Sequence, residues 1–305
     1  MKKVAVLMST YNGEKYIREQ ITSILEQKGV QVTLFIRDDV SKDNTVNVIH
    51  DMQKQNSSIK LSAGKKNLNV GNSFMTLVYS VPDEYDYYAL ADQDDIWLPD
   101  KLSEAILMLE DSGFSLYASN QENVDKNGIS MGLRYTDEKI HLTPESIISR
   151  NMLAGCTMVF SLKVKQILSE KDRRPSAALL RMRIHDVWIA SVAAVMEGIC
   201  YDERSFIQYR QHENNVVGSR KDTIWDDLHH KMDKLMDASQ RNGRSLLALE
   251  LTEKYSDFIA PDSFIRKMAQ PQIYRKELLK RVGELCEYTG ETSLALRMKM
   301  IAGLF

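Results

Sequence analysis

The chain has only three cysteines, Cys156, Cys200 and Cys286, and no two of them form a Cys-x-x-Cys pair. Their odd number and wide spacing argue against a structural zinc site and indicate a reducing compartment. The chain also lacks the run of about eighteen apolar residues that a membrane-spanning helix requires. Its first apolar run, Val4 to Met8, is too short for a signal peptide and is predicted to form a strand. We therefore expect a cytoplasmic protein, or one that lies on the inner face of the cell membrane.

Two glycine-rich phosphate-binding motifs are missing as well. No Gly-x-Gly-x-x-Gly follows the first predicted strand, which weighs against a dinucleotide-dependent dehydrogenase. No Gly-x-x-x-x-Gly-Lys-Ser/Thr occurs, which weighs against a P-loop enzyme. An excess of positive charge is also absent, because the formal net charge is −2. The chain therefore has no general attraction for nucleic acid, and no nucleic-acid partner is expected.

Short apolar runs alternate with helix-length segments in the first part of the chain, which is typical of βαβ units and a mostly parallel sheet. We predict strands at residues 4–8, 32–36, 59–62, 87–91, 115–118, 156–160 and 206–210. Helices are predicted between these strands and at residues 186–196. The segment 121–150 is more polar and is predicted to cross the binding face. Beyond Gly218 the pattern is helical only, so we predict a catalytic domain at 1–218 and a helical region at 219–305.

Three carboxylates follow the predicted strand at 87–91 within four positions, in the sequence Asp92-Gln93-Asp94-Asp95. At the carboxyl edge of an open α/β sheet, where such folds bind ligands, these charges would repel one another without a cation. Hard divalent ions such as Mg²⁺ and Mn²⁺ bind carboxylate oxygens and leave positions for phosphate. The cluster therefore predicts a metal and nucleotide site.

Polar residues also follow the first two predicted strands, at Ser9 to Glu14 and at Asp38-Asp39. The first segment is suited to an anion, but it is equally typical of a simple turn with a Ser or Thr cap. Either aspartate could accept hydrogen bonds from a nucleoside or cap the next helix. Because all these residues lie at the same end of successive strands, we expect them to share one edge of the sheet.

Six motifs, in order, resemble those of glycosyltransferase family 2, and especially bacterial rhamnosyltransferases that build surface polysaccharide. They lie at residues 8–14, 36–45, 91–99, 155–158, 185–188 and 209–212. The resemblance implies the GT-A fold, which is Rossmann-like, with a mostly parallel central sheet flanked by helices; here a C-terminal helical extension follows it. The family pattern often has Gly where this chain has Val40, so a positive φ at that position would strain the turn.

The resemblance also implies the roles of individual residues. Asp94 and His212 would ligate Mn²⁺ or Mg²⁺, and Asp186 would be the catalytic base, although without this context Asp186 is more typical of a helix amino terminus. The residues assigned to the nucleotide sugar are Thr10, Tyr11, Asn12, Glu14, Asp38, Asp39, Asp92, Gln93 and Arg210. Those assigned to the sugar and acceptor pocket are Asp95, Trp97, Gly155, Cys156, His185 and Trp188, of which Trp188 is also a candidate for the helix core.

The implied reaction is inverting transfer of a sugar from a nucleoside diphosphate to a hydroxyl of a growing glycan. The Asp-Gln-Asp-Asp-Ile-Trp form resembles enzymes that use dTDP-L-rhamnose, and a UDP-hexose is the alternative donor. The expected acceptor is a polyprenyl-linked oligosaccharide. A sugar-1-phosphate nucleotidyltransferase and a non-catalytic glycan-binding relative are further alternatives.

The carboxyl-terminal segment 264–305 is basic, with eight Lys or Arg and four Asp or Glu. Basic and apolar residues interleaved on helices are typical of a peripheral contact with an anionic bilayer. Packing on the main domain and a homodimer contact are equally consistent with the pattern.

Overall fold

The computed structural model describes residues 1–182, 184–211, 242–303 and 305. The described residues form nine strands in one sheet, in the order β3-β2-β1-β4-β8-β6-β9-β5, with β7 paired to β6. The strands are β1 (Lys2–Thr10), β2 (Val30–Asp38), β3 (Ile59–Ala63), β4 (Tyr87–Ala91), β5 (Ile96–Trp97), β6 (Leu116–Val124), β7 (Ser130–Leu133), β8 (Val159–Ser161) and β9 (Ile199–Arg210).

The helices lie on both faces of this sheet and beyond it. They are α1 (Ile17–Leu25), α2 (Thr45–Gln55), α3 (Asn69–Ser80), α4 (Lys101–Ser112), α5 (Pro144–Ser149), α6 (Leu162–Ser169), α7 (Ala177–Met182) and α8 (His185–Met196). The carboxyl-terminal helices are α9 (Gly243–Lys254), α10 (Phe264–Ala269), α11 (Arg275–Lys280), α12 (Val282–Thr289) and α13 (Ser293–Ile301). The predicted α/β fold with a helical extension is thus confirmed.

The sheet is parallel over β3, β2, β1 and β4, as the alternating pattern predicted. Beyond β4 it is mixed, because β8 runs antiparallel to both β4 and β6, whereas β9 runs parallel to β6. In the parallel half, Thr10 at the end of β1 pairs with Asp38, and Met8 pairs with Ala91 at the end of β4. The segments that follow these three strands therefore begin at one edge of the sheet, as predicted.

The core lies on both faces of the sheet. On β1, Val4, Val6 and Met8 belong to one buried cluster, whereas Ala5 and Leu7 belong to the other. A central parallel strand is covered on both faces and therefore reads as a continuous apolar run. Helices α1, α2 and α4 cover the first face, and α3, α6 and α8 cover the second.

The carboxyl-terminal helices share the second of these core clusters. Trp188 of α8 packs edge-to-face against Tyr255, which follows α9, with ring centroids 5.8 Å apart. Leu296 and Met300 of α13 are fully buried in the same cluster. One surface of this helical region is therefore packed on the main domain. Among the described residues, no helix is long and apolar enough to cross a membrane.

Val40 adopts a left-handed backbone conformation, with φ of 70°, in the turn between β2 and α2. A β-branched residue rarely occupies this region, because its side chain crowds the following peptide. The turn that the resemblance singled out is therefore locally strained, and Val40 carries the strain next to Asp38 and Asp39.

Candidate active site

The acidic segment that follows β4 folds back on itself, so that its side chains meet. Side-chain ligand atoms of Asp92, Asp95 and Cys156 all lie within 4.8 Å of one another. Burial, together with the charges of Asp94 and Asp186, raises the pKa of Asp92 to about 7. Burial and the charges of Asp94 and Asp92 likewise raise the pKa of Asp95 well above its ordinary value. The structure therefore brings four aspartates, Asp92, Asp94, Asp95 and Asp186, into one electrostatic cluster.

Asp186 is in the first turn of α8, which approaches the segment containing Gly155. A Cβ placed on Gly155 would lie 3.2 Å from the Cβ of Asp186 and 3.0 Å from Nε2 of His185. Both contacts are tighter than usual, so a side chain at residue 155 would require its neighbours to shift by a few tenths of an ångström. Burial raises the pKa of Asp186 to about 6, although the backbone N–H of Val187, which donates to Oδ1 at 2.7 Å, favours the charged form. A carboxylate with this pKa is ionised at neutral pH but remains basic enough to accept a proton.

Gln93 connects the first loop to the acidic segment. Its Oε1 accepts hydrogen bonds from Thr10 Oγ1 at 2.6 Å and from the N–H of Tyr11 at 2.9 Å. Its Nε2 donates to the carbonyl of Tyr11 at 3.1 Å. Thr10 is buried, whereas Tyr11 is 43% exposed, so the Tyr11 ring remains accessible to a ligand.

Asn12 and Glu14 tie the first loop to the second. Asn12 Oδ1 accepts from the N–H of Lys42 at 2.8 Å, and Glu14 Oε2 accepts from the N–H of Asn44 at 2.7 Å. Both residues therefore position the two loops relative to each other. Contact of either side chain with a nucleotide stays a prediction.

The carboxylates of Asp38 and Asp39 are buried and hydrogen-bonded to the protein. Asp38 accepts from the N–H of Ser41 at 2.9 Å, which closes the turn. Asp39 forms an ion pair with Arg37 and accepts from the N–H groups of Leu68, at 2.8 Å, and Asn69, at 2.9 Å, at the start of α3. Asp39 therefore binds N–H groups at the start of α3 and does not cap α2, the next helix, whose N-cap is Asn44. The N–H of Asp39 also donates to the carbonyl of Thr10 at 2.8 Å, which links this residue through Thr10 to Gln93.

Arg210 at the end of β9 is buried against the acidic segment. Its Nε donates to the carbonyl of Asp94 at 3.0 Å, and its Nη2 pairs with Glu19 at 2.6 Å. Its backbone N–H donates to Oδ1 of Asp95 at 3.2 Å. The guanidinium thus holds the acidic segment in place, and its contact with a phosphate stays a prediction. His212, two residues further along, lies outside the described residues.

Trp97 and Trp188 are buried, which limits their contact with a sugar and agrees with the alternative that Trp188 belongs to the helix core. Trp97 is 2% exposed and Trp188 is fully buried. The ammonium of Lys101 lies 3.8 Å from the centroid of the Trp97 ring, on the inner side of the acidic segment. Large aromatic rings stabilise a protein most when they are buried in its core. Both tryptophans have apolar neighbours in the sequence, which explains their burial.

His185 and Cys156 are also buried, which limits their contact with a sugar. The His185 ring stacks on Phe74 with centroids 4.1 Å apart, and burial lowers its pKa to about 3. His185 is therefore neutral and supports the approach of α8 to Gly155. Burial raises the pKa of the Cys156 thiol well above its ordinary value, so this side chain stays protonated and can donate to Asp92 and Asp95.

Arg134 is a site residue that was not singled out from the sequence. Its Nη1 donates to Oε1 of Gln121 at 3.1 Å, and its charge lowers the pKa of Asp186. Tyr135 fixes this segment, because its hydroxyl donates to the carbonyl of Met152 at 3.0 Å, three residues before Gly155. The only signal in the sequence was its place in the polar segment 121–150, which was expected to cross the binding face and contains one other arginine, Arg150.

The acidic cluster suits a hard divalent cation. Its carboxylates provide oxygen ligands, and the buried Oδ2 of Asp95 has no hydrogen-bond donor within the described part of the chain. The neutral Cys156 thiol is a poor ligand for a soft metal, since a soft site needs the thiolate. Asp92 and Asp95 are therefore the described residues whose carboxylates meet where Mg²⁺ or Mn²⁺ could bind, and ligation by Asp94 stays a prediction.

Comparison with known proteins identifies the family. The sequence profile of glycosyl transferase family 2 matches residues 5–167. The chain is 34% identical over 221 residues to the dTDP-rhamnosyl transferase RfbG of Shigella flexneri, which covers 70% of this chain and 74% of that protein. It is 29% identical over 156 residues to the UDP-Glc:alpha-D-GlcNAc-diphosphoundecaprenol beta-1,3-glucosyltransferase WfgD of Escherichia coli, covering 51% of this chain and 58% of that protein.

A solved structure supports the fold independently of sequence. The structure of S. aureus TarS 1-349 in complex with UDP superposes with a TM-score of 0.59 at 18% identity, covering 92% of this chain and 72% of that chain. Because the profile spans more than half of the 305 residues and the Shigella relative is aligned over most of its length, family membership is established. The chain belongs to glycosyltransferase family 2 and is a glycosyltransferase with the GT-A fold.

Proposed function

We propose that the protein is an inverting, metal-dependent rhamnosyltransferase that moves L-rhamnose from dTDP-L-rhamnose to a hydroxyl of a lipid-linked oligosaccharide in the synthesis of surface polysaccharide. The observation that carries the proposal is the position of Asp186 beside Asp92 and Asp94, at the edge of the sheet where the nucleotide loops begin. The choice of donor is supported by the 34% identity to a protein named as a dTDP-rhamnosyl transferase.

Asp186 would act as the general base. With a pKa of about 6 it is ionised at neutral pH and accepts the proton of the acceptor hydroxyl as that oxygen attacks the anomeric carbon. The bond between the anomeric carbon and the diphosphate oxygen breaks in the same displacement. A single displacement inverts the configuration of the sugar and requires no covalent intermediate.

The remaining residues would bind and orient the donor. The exposed Tyr11 ring and the loop held by Thr10 and Gln93 would contact the nucleoside. A divalent cation held by Asp94 and its neighbours would offset the charge that develops on the departing diphosphate. Arg134 would hold Asp186 in its ionised form and provide donors to a substrate anion.

A UDP-hexose is the second candidate donor. The Escherichia coli relative carries UDP-Glc in its name, and its acceptor is named as a diphosphoundecaprenol-linked sugar. The same name supports a lipid-linked acceptor for this chain, which would place the enzyme at a membrane surface.

The donor is tested by incubating the protein with dTDP-L-rhamnose, UDP-glucose and UDP-galactose, with and without Mn²⁺. We expect thermal stabilisation and slow release of nucleoside diphosphate with dTDP-L-rhamnose, and only when Mn²⁺ is present. Stabilisation by a UDP-hexose alone would change the proposed donor to that nucleotide sugar, and the protein would still be a glycosyltransferase. Pyrophosphate release from a nucleoside triphosphate would instead identify a nucleotidyltransferase.

The base is tested by the substitution Asp186→Asn. The variant should lose transfer by about 10³-fold or more, because the amide cannot accept the proton. Its affinity for the nucleotide, measured by calorimetry, should remain within about twofold of wild type, since Asp186 lies on the acceptor side. Substantial turnover by the variant would remove Asp186 from this role.

A further inference from the structure

The last helix, α13, has an apolar face that the protein does not cover. Leu294, Met298 and Ile301 are 70%, 63% and 60% exposed. Their spacing of four and three residues places them on one face of the helix. Leu296 and Met300, on the other side, are fully buried in the core. Helix α13 is therefore apolar on both sides, whereas a helix on the surface of a globular protein normally turns polar residues outwards.

A second apolar element lies next to this face. Ile273, which is 72% exposed, lines a cavity of about 370 Å³ together with Leu246, Leu249 and Gly303. Gln272 lies 3.4 Å from the position that a Cβ on Gly303 would take, so the turn before α11 abuts the end of α13. We call the exposed side chains of Ile273, Leu294, Met298 and Ile301 the carboxyl-terminal apolar surface.

Basic side chains surround this surface. Arg297 is exposed beside Leu294 and Met298, and Lys276 and Lys280 are exposed on α11, which packs against α13. No carboxylate among the described residues forms an ion pair with any of these three. The segment 264–305 has eight basic and four acidic residues, although the whole chain has a net charge of −2. The positive charge is thus concentrated where the apolar residues are exposed.

A second exposed apolar group on the protein lacks this charge. Ile129 and Met131, at the hairpin that contains β7, are 65% and 60% exposed, but residues 122–139 have three basic and four acidic side chains. Apolar exposure alone therefore does not distinguish the two surfaces, whereas charge does. A face that combines apolar and basic side chains complements an anionic lipid bilayer, in which the apolar residues enter the interface and the cations meet the head groups.

We propose that the carboxyl-terminal apolar surface docks the enzyme on an anionic membrane, with Leu294, Met298 and Ile301 inserted at the level of the head groups and Arg297 paired with lipid phosphates. The inference builds on the proposed lipid-linked acceptor, since docking would bring the enzyme to the membrane that carries it. Vesicle binding needs neither donor nor acceptor, so it is measured separately from sugar transfer.

The test is co-sedimentation of the full-length protein with two kinds of vesicle, phosphatidylcholine alone and phosphatidylcholine mixed with phosphatidylglycerol. We expect binding to the mixed vesicles only. The triple variant Leu294→Gln, Met298→Gln and Ile301→Gln should lower the partition coefficient by about tenfold or more, because it removes the inserted apolar groups. Arg297→Gln should lower it by about fivefold, the effect of one charge near an anionic surface.

The matched control is the double variant Ile129→Gln and Met131→Gln, which removes apolar residues of similar exposure from the surface without excess basic charge. It should bind the mixed vesicles as wild type does. All substituted side chains are exposed, and circular dichroism and the melting temperature verify that each variant is folded. The proposal is overturned if the wild-type protein does not bind the anionic vesicles, or if the triple variant binds them as strongly as the wild type does. A dimer in solution that the triple variant converts to a monomer, without vesicle binding, would assign the surface to contacts between copies.

Discussion

At the scale of single residues, the environment of Asp186 determines how the reaction depends on pH. Burial raises the pKa of this carboxyl from 3.8 to about 6. The base must be ionised, so activity is complete well above this pKa and is lost as the pH falls through it. We expect kcat/KM to decrease about tenfold per pH unit below pH 6, as for a single proton.

This profile is measured with saturating Mn²⁺ and a donor concentration well below KM. Circular dichroism at each pH separates loss of the base from unfolding. An acidic limb near pH 4 would show that Asp186 titrates as an unperturbed carboxyl, and that burial does not tune it.

Arg134 provides a second prediction at this scale. Because its charge favours the ionised form of Asp186, the substitution Arg134→Gln should shift the acidic limb to higher pH. It should also lower kcat/KM at neutral pH, by about twofold for a shift of one pKa unit, because about half of Asp186 would then be protonated at pH 7. Arg134→Lys keeps the charge and should restore the position of the limb.

The matched control for Arg134 is Arg150→Gln, an exposed arginine on the segment after α5. It should leave both the limb and the rate unchanged. A role for Arg134 in folding alone would lower the melting temperature of Arg134→Gln without moving the limb.

At the scale of secondary structure elements, the contact between Gly155 and the start of α8 sets the position of the base. In Gly155→Ala the new methyl group would lie 3.0 Å from Nε2 of His185 and 3.2 Å from Cβ of Asp186, so these groups would have to shift by a few tenths of an ångström. Because a displacement of about 1 Å at the reacting atoms can reduce the rate by about 10²-fold, the smaller shift should reduce it by less. We therefore expect a loss in kcat of about tenfold with little change in nucleotide affinity.

Gly283→Ala is the control, since no atom lies within 4 Å of a Cβ at this helical position. It should keep full activity and raise stability by about 0.5–1 kcal/mol, because alanine favours the helix. Full activity of Gly155→Ala would show that the approach of α8 to this glycine has no catalytic importance.

The elements also show how far the sequence predicts the fold. Strand β4 has the predicted bounds, because its apolar run stops abruptly at polar Asp92. Strand β9 begins at Ile199, seven residues before the prediction, since the polar residues Asp202 to Ser205 interrupt the apolar pattern. A strand was predicted at 156–160, and β8 runs from Val159 to Ser161, but its antiparallel direction could not be predicted, because it depends on pairing with β4 and β6, which are distant in sequence.

The part of the candidate site that could be predicted from the sequence is formed by residues of short local motifs. Asp92, Asp94 and Asp95 lie together because they follow the end of one strand, and the charge of Asp186 from the start of α8 acts on Asp92, whereas the roles of all four stay predictions. Trp97 and Trp188 were assigned to a pocket and are core residues, since a motif does not reveal which way a side chain points. Arg134 was missed, because its proximity to Asp186 depends on how the segment 121–150 folds over the sheet.

At the scale of the whole molecule, one surface edge gathers residues from distant parts of the chain. Asp39 is linked to Gln93 through Thr10, and Asp92 and Asp94 lie in the same acidic segment as Gln93. The charge of Asp186 in turn acts on Asp92. The first two loops, the acidic cluster and Asp186 are thus connected, whereas the carboxyl-terminal apolar surface belongs to helices that share the core cluster of α8.

The most direct test of this continuity is a crystal structure of Asp186→Asn with dTDP-L-rhamnose and Mn²⁺. The account predicts the diphosphate and the ion at Asp94, the nucleoside against Tyr11, and the anomeric carbon facing residue 186 with room for an acceptor hydroxyl at about 3 Å from its side chain. A nucleotide bound elsewhere would contradict the account. So would a sugar whose anomeric carbon has residue 186 and the departing diphosphate on the same side.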